Sequence, residues 1–138
     1  MELRYENGLV GNRWLLDNMN GIFRELGPQN RRVAPPTDVV EDQDAYHFYF
    51  EMAGLTTDSI EVRVEDGHLV VEAERKRPEW PQETAVRVAE RAYGTIHRVF
   101  EMPKDASHDH VHATYKDGVL AVTVDKRPES KPVKIQIN

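Results

Sequence analysis

Cysteine is absent from all 138 residues, which excludes a disulfide scaffold, thiol nucleophiles and thiolate metal ligands. No apolar run approaches the ~20 residues of a membrane span, and no charged start leads into the short apolar core of a signal peptide. The expectation is a soluble, cytoplasmic protein. A surplus of positive charge is also missing: 18 basic residues face 24 acidic ones, for a net charge of -6. Phosphate backbones demand a concentrated basic surface, so nucleic acid is not an expected partner, and neither is a membrane. No GxxxxGKS or GxGxxG string occurs to cradle a nucleotide phosphate, and Gly67, Gly94 and Gly118 are accounted for by turns.

The length suits one domain with modest extensions. Near the start, Leu15, Met19, Ile22 and Leu26 recur at helical spacing with Trp14, Leu16 and Phe23 beside them. This predicts an amphipathic helix over about 12–26 within an arm of residues 1–33, ended by Gly27 and Pro28. From residue 34 the texture changes to short alternating runs. Candidate strands are 37–41, 46–53, 60–65, 68–75, 95–102, 111–115 and 119–125, with tight turns at Asp66-Gly67 and Asp117-Gly118. Many short strands at this spacing imply an antiparallel β-sandwich. Pro78, Trp80 and Pro81 open a long excursion to about Tyr93, in which Val86 and Val88 flank Arg87 as a short strand able to pair with another subunit.

Catalytic machinery is not evident. His47 and His97 fall in separate strands without a serine or carboxylate pattern, and Glu41, Asp42 and Asp44 read as charge solvating a strand end. His108, His110 and His112 have a spacing that could align imidazoles along one face of an extended segment, but Ser107 and Asp109 suggest that the run begins in a turn. Neither cofactor nor metal is expected, and the chain is not read as an enzyme.

The last residues alternate as Val133, Lys134, Ile135, Gln136, Ile137, behind a tether containing Pro128 and Pro132. An apolar strand at the end of a tether is either the final strand of its own domain or a docking peptide for a sheet edge, and spacing alone leaves both open. Seven residues of extended tether reach roughly 20 Å at ~3.1 Å each.

Several stretches, in order, carry a family resemblance. Ala113-Thr114-Tyr115-Lys116-Asp117-Gly118-Val119-Leu120 resembles the AxxxnGVL signature of the small heat shock proteins, the Hsp20 or α-crystallin-related family. Around it stand Ala34-Pro35-Pro36-Thr37-Asp38-Val39, the FxxxMAGL-like stretch 48–55, Glu90-Arg91-Ala92-Tyr93-Gly94, His97-Arg98-Val99-Phe100-Glu101-Met102-Pro103 and the terminal Ile135-Gln136-Ile137. Ile96 stands where the family commonly has phenylalanine, and Asp117 where asparagine is usual.

The resemblance implies an all-β fold: an immunoglobulin-like sandwich, the α-crystallin domain, over 34–128, with an N-terminal helical arm and a C-terminal extension over 129–138. It implies an ATP-independent holdase that keeps partly unfolded clients from aggregating under heat or other stress and passes them to ATP-driven refolding chaperones. Ile135 and Ile137, with Val133 beside them, would dock between the edge strands of a neighbour, in a groove of Ile60, Val62, Val64, Val111 and Ala113. The excursion resembles the bacterial type, in which a loop strand swaps between partners. Val86, Val88, Glu90, Arg91 and Arg98 would then form the dimer interface. The arm residues Trp14, Leu15, Leu16, Met19, Ile22, Phe23 and Leu26 would bind clients or bury in the oligomer. The alternative is a p23-like co-chaperone adaptor on a related sandwich, against which the terminal IxI argues.

Overall fold

The computed structural model describes residues 32–128 and 133–138. The predicted helix over 12–26, its apolar residues and tether residues 129–132 lie outside the described residues. Among the described residues, eight strands form two four-stranded sheets. Strands β1 (Arg32–Val33), β6 (Gly94–Glu101), β5 (His68–Arg75) and β4 (Ile60–Glu65) lie side by side in that order in one sheet. The other runs β2 (Thr37–Glu41), β3 (Ala45–Glu51), β8 (Val119–Lys126) and β7 (Ala106–Lys116). The predicted antiparallel sandwich is the observed architecture, with one parallel pairing at its margin, where Arg32 and Val33 lie beside Thr95 and Ile96.

Period-2 alternation explains which side chains meet between the sheets. Phe48 and Phe50 of β3, Leu69 and Val71 of β5, Ile96 and Phe100 of β6, and Leu120, Val122 and Val124 of β8 are all buried. The Phe100 ring meets Phe48 at 5.3 Å and Phe50 at 6.0 Å, edge to face in both cases. Such pairs contribute beyond the area they bury. At one end of the core the Tyr46 hydroxyl donates to Asp105 at 2.7 Å, so a buried ring keeps its polar tip satisfied.

Both Asp-Gly turns form as their sequence requires. Asp66 and Gly67 have φ of 49° and 75°, and Asp117 and Gly118 have 54° and 78°. Positive φ at both central residues matches the right-handed twist of the strands they join, which fixes the β4–β5 and β7–β8 registers.

Two strands differ from expectation. β1 falls at the end of the predicted arm, where no strand is expected, because two residues carry no period and gain their pairing only from β6. β7 begins at Ala106, so the histidine run is strand and not turn. A register irregularity between Ala106 and Val111 accommodates it, and a bulge of this kind re-aims side chains without ending the strand.

Candidate functional site

Strands β4 and β7 are edge strands of opposite sheets, and the gap between them is not sealed. Ile60, Val62 and Val64 alternate with a charged set, Glu61, Arg63 and Glu65, along β4, so the aliphatic side chains turn toward the gap while Glu61 and Glu65 turn away. Arg63 holds the charged set together through ion pairs to Glu65 at 2.9 Å and Glu72 at 2.8 Å. These acceptors raise its already high pKa. On the facing strand Val111, Ala113 and Tyr115 share the corresponding face.

Two adjoining cavities result. One, of about 330 Å³, is lined by Val62, Val64, Val111 and Ala113, with Arg63, His108 and Asp109 at its polar end. The other, of about 210 Å³, is lined by Ile60, Val62, Ala113, Tyr115 and Leu120, with Thr57 and Thr114 at its rim. All five predicted groove residues come together here, and Val62 and Ala113 form the wall shared by the two cavities.

The floor is fixed by Tyr115, whose hydroxyl donates to the Met52 carbonyl at 2.7 Å and accepts from the Leu55 amide at 3.3 Å. Tyr115 was not anticipated as a groove residue, although it continues the alternation of Val111 and Ala113. His108 and Asp109 could not be assigned to the groove from alternation, because the irregularity before Val111 changes where they point.

Ile135 and Ile137 are 83% and 93% exposed, and Val133 is 80% exposed. The tail has no regular structure over 133–138, and none of its residues lines the groove of its own chain.

The excursion between β5 and β6, residues 76–93, contains no strand. Val86 and Val88 stand out in solvent, at the margin of a cavity of about 170 Å³ shared with Trp80 and Tyr93. Tyr93 organises the base of the loop: Arg77 and Arg91 lie 5.1 Å and 5.5 Å from its ring, and Arg91 also donates to its hydroxyl. Arg98 is not with them. It lies half-buried on β6, donates from Nη1 to the Pro35 carbonyl at 2.9 Å and stacks 4.8 Å above Phe100. Burial lowers its pKa, and its Nε is buried with no acceptor among the described residues.

The three candidate metal histidines do not converge. His108 faces the groove, His110 contacts Ser107 Oγ at 3.1 Å, and His112 is exposed on β7. Among the described residues no cluster of three ligand-type side chains is poised for a metal, and no helix is long and apolar enough to cross a membrane.

A two-sheet sandwich with two adjoining apolar cavities at an open edge defines a β-sandwich domain of the immunoglobulin-like class. The Hsp20/alpha crystallin family model matches residues 38–138, and the chain belongs to that family. It is 44% identical over 102 residues to the 17.8 kDa class II heat shock protein of Zea mays, covering 73% of this chain and 62% of the relative. A 17.9 kDa class II heat shock protein of Helianthus annuus is 39% identical over 131 residues, covering 94% of this chain and 80% of the relative. Among solved structures, a small heat-shock protein from Xylella fastidiosa superposes with a TM-score of 0.64 at 32% identity, covering 75% of this chain and 95% of that one. The family's members are chaperones and not, in general, enzymes.

Proposed function

We propose that this protein is an ATP-independent holdase of the cytoplasm, and that it works as a reversible homo-oligomer. The observation that carries the reading is the pair of adjoining apolar cavities between β4 and β7, in a chain that also carries two exposed isoleucines spaced by two residues. A tail laid along an edge strand repeats its side chains every two residues, as the groove residues do, so Ile135 and Ile137 of one subunit fit the groove of a neighbour. Residues 1–33 serve as the arm, 34–128 as the sandwich domain and 129–138 as the docking extension.

The dimer is built by exchange of the 76–93 loop, with Val86 and Val88 adding to the edge of a partner's β2. Two observations support this mode. β1 already pairs along β6 at Thr95 and Ile96, which obstructs edge-to-edge pairing of β6 strands, whereas β2 ends its sheet. Arg98 Nη1 donates to the Pro35 carbonyl just ahead of β2, which sets the arginine beside that edge, and Glu90 and Arg91 lie next to the exchanged valines in sequence. Clients bind the apolar arm residues Trp14, Leu15, Leu16, Met19, Ile22, Phe23 and Leu26, and are then handed to ATP-driven refolding chaperones.

Light scattering of a heated model client tests the holdase activity. Suppression of aggregation at equimolar or lower protein, without ATP, is the expected result; unchanged scattering refutes the activity.

A further inference from the structure

Charge is distributed unevenly between the two surfaces that the loop-exchange reading brings together. The β2–β3 hairpin, residues 37–51, carries five acidic residues and neither lysine nor arginine, while residues 75–93 carry five basic residues against three acidic ones. In a chain of net charge -6, the loop is therefore a basic segment in an acidic protein. Charge complementarity of this kind selects partners and fixes register.

The alternation of both strands narrows the match to particular residues. On β2, Val39 is half-buried against the core while Asp38 and Val40 are exposed on the outer face. A strand added to that edge with Val86 and Val88 continuing the face of Val39 turns Arg87 to the outer face, beside Asp38. Glu51, exposed at the end of β3, lines a cavity of about 190 Å³ together with Asp38 and Tyr49. Arg87 is exposed, and neither it nor Asp38 has an ion-pair partner among the described residues. Glu41 and Asp42 differ: Lys126 and His47 already engage them within the chain.

We propose that Arg87 of one subunit pairs with Asp38 on β2 of a second copy, with Glu51 extending the acidic surface that receives it, so that charge sets the register of the exchanged strand. The inference rests on the loop-exchange reading. It adds that the valines supply the area and the arginine the alignment.

Sedimentation velocity of the full-length chain on serial dilution reads the monomer–dimer step. Arg87→Glu and Asp38→Arg are each expected to weaken it about tenfold, and the combined swap is expected to return it to within about threefold of wild type. Raising salt from about 0.05 to 0.5 M should weaken the wild-type dimer and have less effect on Arg87→Gln. A combined swap as weak as the product of the two single changes overturns the proposal, as do single variants with wild-type dimerisation. Val86→Asp with Val88→Asp separates the two levels. If that variant dissociates while the charge variants stay dimeric, only the Arg87–Asp38 pairing falls; if it stays dimeric, the loop-exchange reading falls with it.

Discussion

At Gly118 an added Cβ would lie 3.3 Å from the Ala53 Cα, whereas at Gly67 it would meet nothing within 4 Å, although both glycines have nearly the same positive φ. Left-handed backbone costs a residue with a Cβ roughly 1–2 kcal/mol, so Gly67→Ala should lower the melting temperature by about 4–8 °C. Gly118→Ala carries the same strain plus a backbone clash, so differential scanning calorimetry should give it the larger loss; equal losses would contradict the close approach. Asp42 offers a test by pH. Its carboxylate accepts from His47 Nε2 at 2.7 Å and from the amides of Asp44 and Ala45, and these bonds, the His47 one foremost, lower its pKa from 3.8 to about 2. A folded pKa below the unfolded one gives stability that is present above about pH 4 and lost as pH falls toward 2. Asp42→Ala should therefore melt below wild type near neutrality, with the difference narrowing as thermal scans move from pH 4 toward pH 2. A difference independent of pH in that window would mean that the ionised form is not what stabilises the turn.

At the scale of strands, much was legible because each signal was local. Thr37–Glu41, Ile60–Glu65 and His68–Arg75 match their predicted bounds, since each shows alternation and has at least one end marked locally, by Pro36 before Thr37 and by the Asp66-Gly67 turn between Glu65 and His68. The groove residues Ile60, Val62, Val64, Val111 and Ala113 were legible through the family signature, and all of them line the observed cavities. What escaped depended on distant neighbours. β1 exists only because β6 offers Thr95 and Ile96, and the early start of β7 depends on β8, whose Lys126 pairs with Ala106. Val86 and Val88 alternate like a strand but form none within one chain, because a lone segment has no ladder to join. The same reasoning governs the tail. Burying Ile135 and Ile137 would yield about 1.5–3 kcal/mol each, against an association cost on the order of 4–15 kcal/mol, so a single tail should hold weakly. Ile135→Ala with Ile137→Ala should reduce the particle toward dimers in size-exclusion chromatography with light scattering, and an unchanged mass would remove the tail from the assembly mechanism.

Across the whole molecule, the proposed assembly would make contacts that are each weak alone stable when many act together, because a dimer and its neighbours would keep every tail at high effective concentration. Such a particle would have no single strong joint: one groove could empty while the others hold, and the vacated subunit could leave or expose apolar surface. Its two classes of contact should respond differently to conditions. The proposed tail docking would bury isoleucines, with Arg63, His108 and Asp109 at one end of the groove, whereas the proposed loop contact sets Arg87 against Asp38 in solvent. Salt screens exposed charges far more than it affects apolar burial. Mixing donor- and acceptor-labelled protein and following energy transfer should therefore show exchange accelerated by warming, since more tails leave their grooves. Ile135→Ala with Ile137→Ala should abolish the energy transfer that arises between dimers in the larger particle. Added salt should act mainly on exchange within dimers, visible as monomers from different dimers re-pairing in that tail variant. Exchange in the tail variant that is insensitive to salt would place the dimer contact among the apolar ones and leave the valines, not the arginine, as its determinant.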